Sequence, residues 1–276
     1  RDPGEALEAW KRVRRLLLGL PLEGPARYPL LMASGQIVNF SWRVGLTADE
    51  AEPFHSEALG IATSLGDMRA VTLVTAAYGR SLASSGSAVD YVATVTDAMK
   101  HLDPQKHVGL LAVLSAIRCH ARWLAGDLPG AMADNDFALA HADKVEEVDQ
   151  QTLGFAVAIW IKGLRSKVLA MMGRFDEARA LAEELISGDE AVVDTLHRLL
   201  GHGTMVDIAW GRGEAALAEK HGAIAQAIAD KSGKVSKAEY MKFMEAEWDA
   251  LDTNKNGSLE TTEYENREYF KREIQR

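Results

Sequence analysis

A single cysteine, Cys119, in a chain of 276 residues excludes an internal disulfide. The fold must hold itself by packing, and the absence fixes no compartment, since periplasmic chains also do without disulfides. Proline is scarce, with seven in all, so little stands in the way of long helices. No apolar run approaches the ~20 residues that span a bilayer. The longest, "GFAVAIWI" over 154–161, stops at Lys162. Basic residues are not in excess: the formal net charge is −9, which argues against a nucleic-acid surface, because that needs a basic stripe. Phosphate-cradling loops are missing too. There is no G-x-x-x-x-G-K-[ST] and no G-x-G-x-x-G after a strand, and "GHG" and "GRG" are too short to signify. The chain opens on Arg1 rather than Met. A fragment or processed product is therefore expected, placed in the cytoplasm with the periplasm as the alternative.

The residues that could carry catalysis do not assemble into a site. Cys119 is followed by His120, but adjacent helical positions point about 100° apart and cannot form a nucleophile–base pair. Cys119 is expected to be a small buried contact residue. The histidines include no H-x-x-x-H or H-E-x-x-H, and His197 and His202 are badly spaced for one metal on a regular helix. Asp134 and Asp136 in "MADNDFA" fall on different helix faces and read as a solvated turn. The basic run "KRVRR" near the start reads as a solvated face. Trp42, Trp123, Trp160 and Trp210 read as core packing rather than a ligand cage. A non-catalytic chain is expected.

What the sequence does have is repetition. Residues 1–225 are rich in Ala and Leu, and glycines at Gly45, Gly86, Gly126, Gly173 and Gly211 mark turns at intervals of 41, 40, 47 and 38 residues. Three of these turns share a pattern, "GDLPGA", "GRFDEA" and "GRGEAA", each with Ala five residues after the Gly: Ala131, Ala178 and Ala216. Seven residues before the last four glycines stand Gly79, Cys119, Ser166 and Thr204. Small residues let two helices approach, and glycine lets the chain reverse between them. The predicted elements are an N-terminal helix over 4–19 and the pairs 28–43 with 47–65, 67–84 with 88–102, 107–125 with 128–143, 152–172 with 175–187, and 191–210 with 213–229. This is the helix-turn-helix logic of tetratricopeptide repeats, with longer spacing than their usual ~34 residues.

The C-terminal stretch "DTNKNGSLETTE", residues 252–263, has a different character. With Asp252 at position 1 of a twelve-residue loop, Asn254 and Asn256 take positions 3 and 5, Gly257 position 6, Ser258 position 7, Glu260 position 9 and Glu263 position 12. A calcium loop needs oxygen donors at 1, 3, 5, 7, 9 and 12 and glycine at 6. Asp252, Asn254 and Asn256 would give side-chain oxygens, Ser258 its carbonyl, Glu260 a bound water, and Glu263 both carboxylate oxygens. The stretch resembles an EF-hand, and the flanking segments have helical periodicity. Upstream, "IADKSGKVSKAE" over 228–239 fits the same frame with Gly233 at position 6 and Glu239 at 12, but Ile228 fills position 1. This hand is read as degenerate and structural, pairing with the intact one.

Residues 4–222, through wording such as "ALEAWKRVRRLLLGLPLEGPARYPLL" and "GRFDEARALAEELI", also resemble the C-terminal helical region of large bacterial signalling proteins. Those proteins join a class III adenylate/guanylate cyclase domain, an ATPase module and tetratricopeptide-like repeats. The resemblance implies that cyclase and ATPase domains would lie upstream; an EF-hand tail departs from that pattern.

The expectation is an all-α chain: a tetratricopeptide-like α-solenoid over 1–225 and an EF-hand pair over 226–276. It would be a calcium-binding scaffold for protein–protein interaction in bacterial signalling. A protein or peptide partner would lie in the groove of the solenoid, and a second copy could cap its end. Calcium is expected to staple the tail rather than act as a sensor. The alternative is the regulatory C-terminal fragment of a nucleotide cyclase.

Overall fold

The computed structural model describes residues 3–85, 87–153, 156–188 and 195–231. Among these the chain is all-helical, with no strand. The helices are α1 (Pro3–Leu18), α2 (Tyr28–Ser41), α3 (Ala48–Leu65), α4 (Met68–Ser84), α5 (Ala88–Lys100), α6 (Val108–Leu124), α7 (Leu128–Ala140), α8 (Glu147–Leu153), α9 (Val157–Met171), α10 (Phe175–Ser187), α11 (Thr195–Arg212) and α12 (Ala215–Lys231). None of them is long and apolar enough to cross a membrane. The chain forms two compact units, Arg1–Val168 and Leu169–Arg276.

In the first unit each helix from α1 to α7 packs on the next, and the first helices of successive pairs, α2, α4 and α6, also touch one another in order. In the second unit α10 packs on α11 and α11 on α12. Local chemistry sets the boundaries. In "GDLPGA", Gly126 takes the left-handed φ of 82° just past the end of α6, a conformation that costs glycine nothing. Asp127 then caps α7, accepting a hydrogen bond from the Gly130 amide at 3.0 Å. Pro129 sits in the first turn, where no amide donor is needed. The same stop-and-cap logic recurs ahead of α4, where Asp67 accepts from the Ala70 amide at 2.9 Å. Thr47 and Glu50 close a capping box at the start of α3.

The core runs along these joints. Leu30 and Leu31 of α2, Ala58 and Ile61 of α3, and Val71 and Val74 of α4 form one buried cluster. The small residues expected at the contacts are buried: Gly79, Cys119, Ser166 and Thr204. At Gly79 the fit is tightest, since a Cβ there would lie 2.0 Å from Cε2 of Tyr91 on α5. Ala131 and Ala178 are buried as the shared pattern implies, whereas Ala216 is exposed.

Two sequence expectations are corrected. The helix expected over 152–172 is two helices, α8 and α9. Together with a 3₁₀ turn at Ala142–Lys144, α8 fills the stretch that lengthens the spacing from Gly126 to Gly173. Gly211 is not a turn residue. It lies inside α11, where a Cβ would meet Cζ of Phe175 at 2.5 Å. The reversal is made by Gly213, with φ 70°, so the residue seven before the turn is the buried Val206 rather than Thr204.

Helix α12 continues through residue 225 to Lys231 and so takes in 228–231, the first four positions of the degenerate frame. The rest of that frame and the expected calcium loop lie outside the described residues.

Candidate functional site

A groove of about 200 Å³ opens between α2 and α4. Met32, Gly35, Gln36 and Asn39 line it from α2, and Ala70, Leu73, Ala77 and Arg80 from α4. These spacings of three and four place each set on one helix face. A Cβ on Gly35 would sit 3.4 Å from Val74 Cγ2, an ordinary van der Waals contact, so α2 and α4 lie side by side here. The floor is apolar. The polar edge is supplied by the Gln36 and Asn39 amides and by Arg80, whose guanidinium lies 5.8 Å from the centre of the Trp42 ring.

Val148 of α8 also lines the groove. That helix is tied to α4 by Arg69, which forms ion pairs with Glu146 and, at 2.8 Å, with Asp149. Asp149 is only 2% exposed, and burial raises its pKa even though Arg69 pulls the other way. Asp67, also on the lining, is committed to the cap of α4. Chemically, the trough offers side-chain amides that both donate and accept, a guanidinium, and an apolar floor. That set suits the backbone and side chains of a bound peptide.

The six residues expected to hold calcium, Asp252, Asn254, Asn256, Ser258, Glu260 and Glu263, lie outside the described residues. Among the described residues no three His, Cys, Asp or Glu side chains are grouped to hold a metal ion. Cys119 is fully buried. Burial pushes its thiol up to about 12, so it stays neutral and unreactive. Its Sγ accepts a long contact from Asn135 Nδ2 at 3.7 Å. His120 turns away from it, packing among Tyr91, Trp123 and Trp160 with ring centres 5.6–6.3 Å apart. Desolvation there pulls its pKa down to about 4. His202 does not face His197 but pairs with His221 of α12, Nδ1 to Nδ1 at 2.9 Å. Of the four tryptophans, Trp160 is buried and Trp42, Trp123 and Trp210 are half-buried.

Two charged segments differ from expectation. Asp134 is not solvated; it is 5% exposed. Arg118 donates to both its oxygens, at 2.8 and 2.6 Å, and Arg122 lies 3.1 Å away. Its neighbour Asn135, fully buried, donates to the Ile161 carbonyl at 2.9 Å and accepts from Arg165 at 3.1 Å. "MADNDFA" is thus a polar seam joining α6, α7 and α9. In "KRVRR", Arg14 is likewise engaged. It grips Glu57 of α3 through two hydrogen bonds of 2.7 and 3.0 Å and lies 5.1 Å from the centre of the Phe54 ring.

The sequence led to the expectation of a groove but not to its lining residues, and it indicated neither the seam nor the histidine pair. The seam left one trace: Arg118 and Arg122 are spaced i,i+4 on α6, which aims both at a single acid on the next helix. No protein-family model matches the chain, and no curated protein matches it.

Proposed function

We propose that this chain is a non-catalytic, tetratricopeptide-like helical-repeat scaffold that binds a protein or peptide segment, with calcium held by Asp252, Asn254, Asn256, Ser258, Glu260 and Glu263 in the C-terminal loop. The observation that carries the reading is the groove between α2 and α4, with its apolar floor and its edge of Gln36, Asn39 and Arg80. An extended segment laid along it would bury apolar side chains on Leu73 and Ala77 and exchange hydrogen bonds with the two amides. Successive first helices touching in order would continue that surface from pair to pair. The calcium assignment rests on the register of six oxygen donors around Gly257. A role in bacterial signalling follows from the resemblance of residues 4–222.

Selection of a random peptide display library on the immobilised chain tests the groove. Enriched peptides should lose at least tenfold in affinity for Arg80→Glu and for Leu73→Asp, with the helical circular dichroism unchanged. Enrichment insensitive to both substitutions would refute the groove as the binding surface.

A further inference from the structure

The second unit contains a feature that the scaffold reading does not use. His202 of α11 and His221 of α12 are both buried, 7% and 8% exposed, with their Nδ1 atoms 2.9 Å apart. Such a contact needs a proton between the nitrogens. One ring must present Nδ1–H and the other a bare lone pair. With both rings neutral, or with one protonated, the hydrogen bond survives. With both protonated, two N–H groups face each other at contact distance and neither has an acceptor.

The surroundings disfavour added protons. Among the described residues, the charged groups that act on the pair are Arg198 on α11, Lys220 on α12 and Arg179 on α10. All three are cations, although Glu214 lies 3.8 Å from Arg179 and offsets part of its field. The same cations disfavour a divalent metal at this place. Burial and this positive field lower the pKa of both imidazoles below the ordinary value.

We propose that the His202–His221 contact is an acid-released latch holding α12 against α11. At neutral pH one shared proton joins the helices. As pH falls, protonation of both rings breaks the joint and frees α12, the helix that leads into the C-terminal calcium segment. The sign follows from linkage. The open form takes up protons near the ordinary histidine value of about 6.5 and the closed form only below it, so acid favours the open form. Opening should grow by up to about tenfold per pH unit for each proton taken up.

The test is hydrogen exchange read by mass spectrometry on the full chain at pH 7.5 and 5.0, corrected for intrinsic rates, with α6 peptides as internal reference. Protection of α12 peptides should fall at least tenfold at the lower pH relative to α6. His202→Asn/His221→Asn places a non-titrating amide at each Nδ1 position and should remove that difference. Equal protection at both pH values, or the same fall in the double variant, would overturn the latch. Should the double variant fail to fold, NMR titration of the wild-type imidazoles decides. The resonances assigned to His202 and His221 must titrate below about 6.5 and change together with the α12 amides; either of them titrating at or above that value would overturn it.

Discussion

Gly79→Ala separates two physical effects of opposite sign. In the interior of a helix, alanine is favoured over glycine by about 1 kcal/mol. Gly79 lies inside α4, so propensity alone predicts stabilisation. The new Cβ would fall 2.0, 2.7 and 2.9 Å from Cε2, Cδ2 and Cζ of Tyr91, against ordinary carbon contacts of about 3.5–4.0 Å. Tyr91 is fully buried and packs edge-on to His120 at 5.8 Å between ring centres. The ring therefore has to push its neighbours aside, and overpacking of this kind costs about 1–3 kcal/mol or more. With three ring atoms inside 3.0 Å the cost falls in the upper half of that range, so we expect Gly79→Ala to lose about 1–2 kcal/mol net. Gly60→Ala on α3 is the control, because nothing lies within 4 Å of its Cβ position and the residue is exposed; it should gain about 0.5–1 kcal/mol. Combining Gly79→Ala with Tyr91→Leu should return part of the loss. Urea midpoints followed by far-ultraviolet circular dichroism measure all four proteins. A Gly79→Ala chain as stable as wild type, or more stable, would refute the packing argument.

Asp134→Ala leaves Arg118 and Arg122 side by side without their shared carboxylate. Their side chains keep 18% and 26% exposure, so the expected loss is about 2–3 kcal/mol rather than the full cost of a stranded buried charge; a change under about 0.5 kcal/mol in thermal melts would contradict the buried seam. Tyr91→Phe removes a buried hydroxyl that has no hydrogen-bond partner among the described residues and should leave stability unchanged or raise it by about 1 kcal/mol, so a clear loss would point to a hydrogen bond at that oxygen. Burial pulls His55, stacked on Tyr78, down to about 4. Its neutral form therefore contributes stability that is present above about pH 6.5 and lost as pH falls towards 4, and replacing it with Leu should flatten the melting-temperature profile over that window. Calorimetric titration with calcium should show one site that Glu263→Gln abolishes. A higher melting temperature without new dye-binding surface would indicate a staple, exposed apolar surface would indicate a sensor, and no heat at millimolar calcium would remove the metal from the proposal.

The parts of the fold that were legible in the sequence are those coded by near neighbours. Glycine before aspartate, with proline two residues on, writes the end of α6 and the start of α7 into five positions, and the helix pairs follow from such turns. The errors arose wherever a distant residue decides. "GRG" offers two glycines for one reversal, and Phe175, thirty-six residues earlier in the chain, occupies the space beside Gly211 and leaves Gly213 to turn. Asp134 resembles a surface acid until α6 supplies two guanidiniums from sixteen and twelve residues upstream. The same reasoning applies to the groove. Its floor is written as ordinary apolar periodicity on α4, and the groove exists only once α2 lies beside that face. The one irregularity visible in the repeat was the long interval between Gly126 and Gly173. Read along the chain it suggests longer helices or an extended connection; in space it is the 3₁₀ turn and α8, pinned by Arg69 to Glu146 and Asp149, with Val148 set against the groove. An insertion that only lengthened a surface loop would have no reason to bury Asp149 beside Arg69 at the cost of desolvating the carboxylate. The irregular interval therefore marks the place where α8 is fixed against the lining of the groove between α2 and α4.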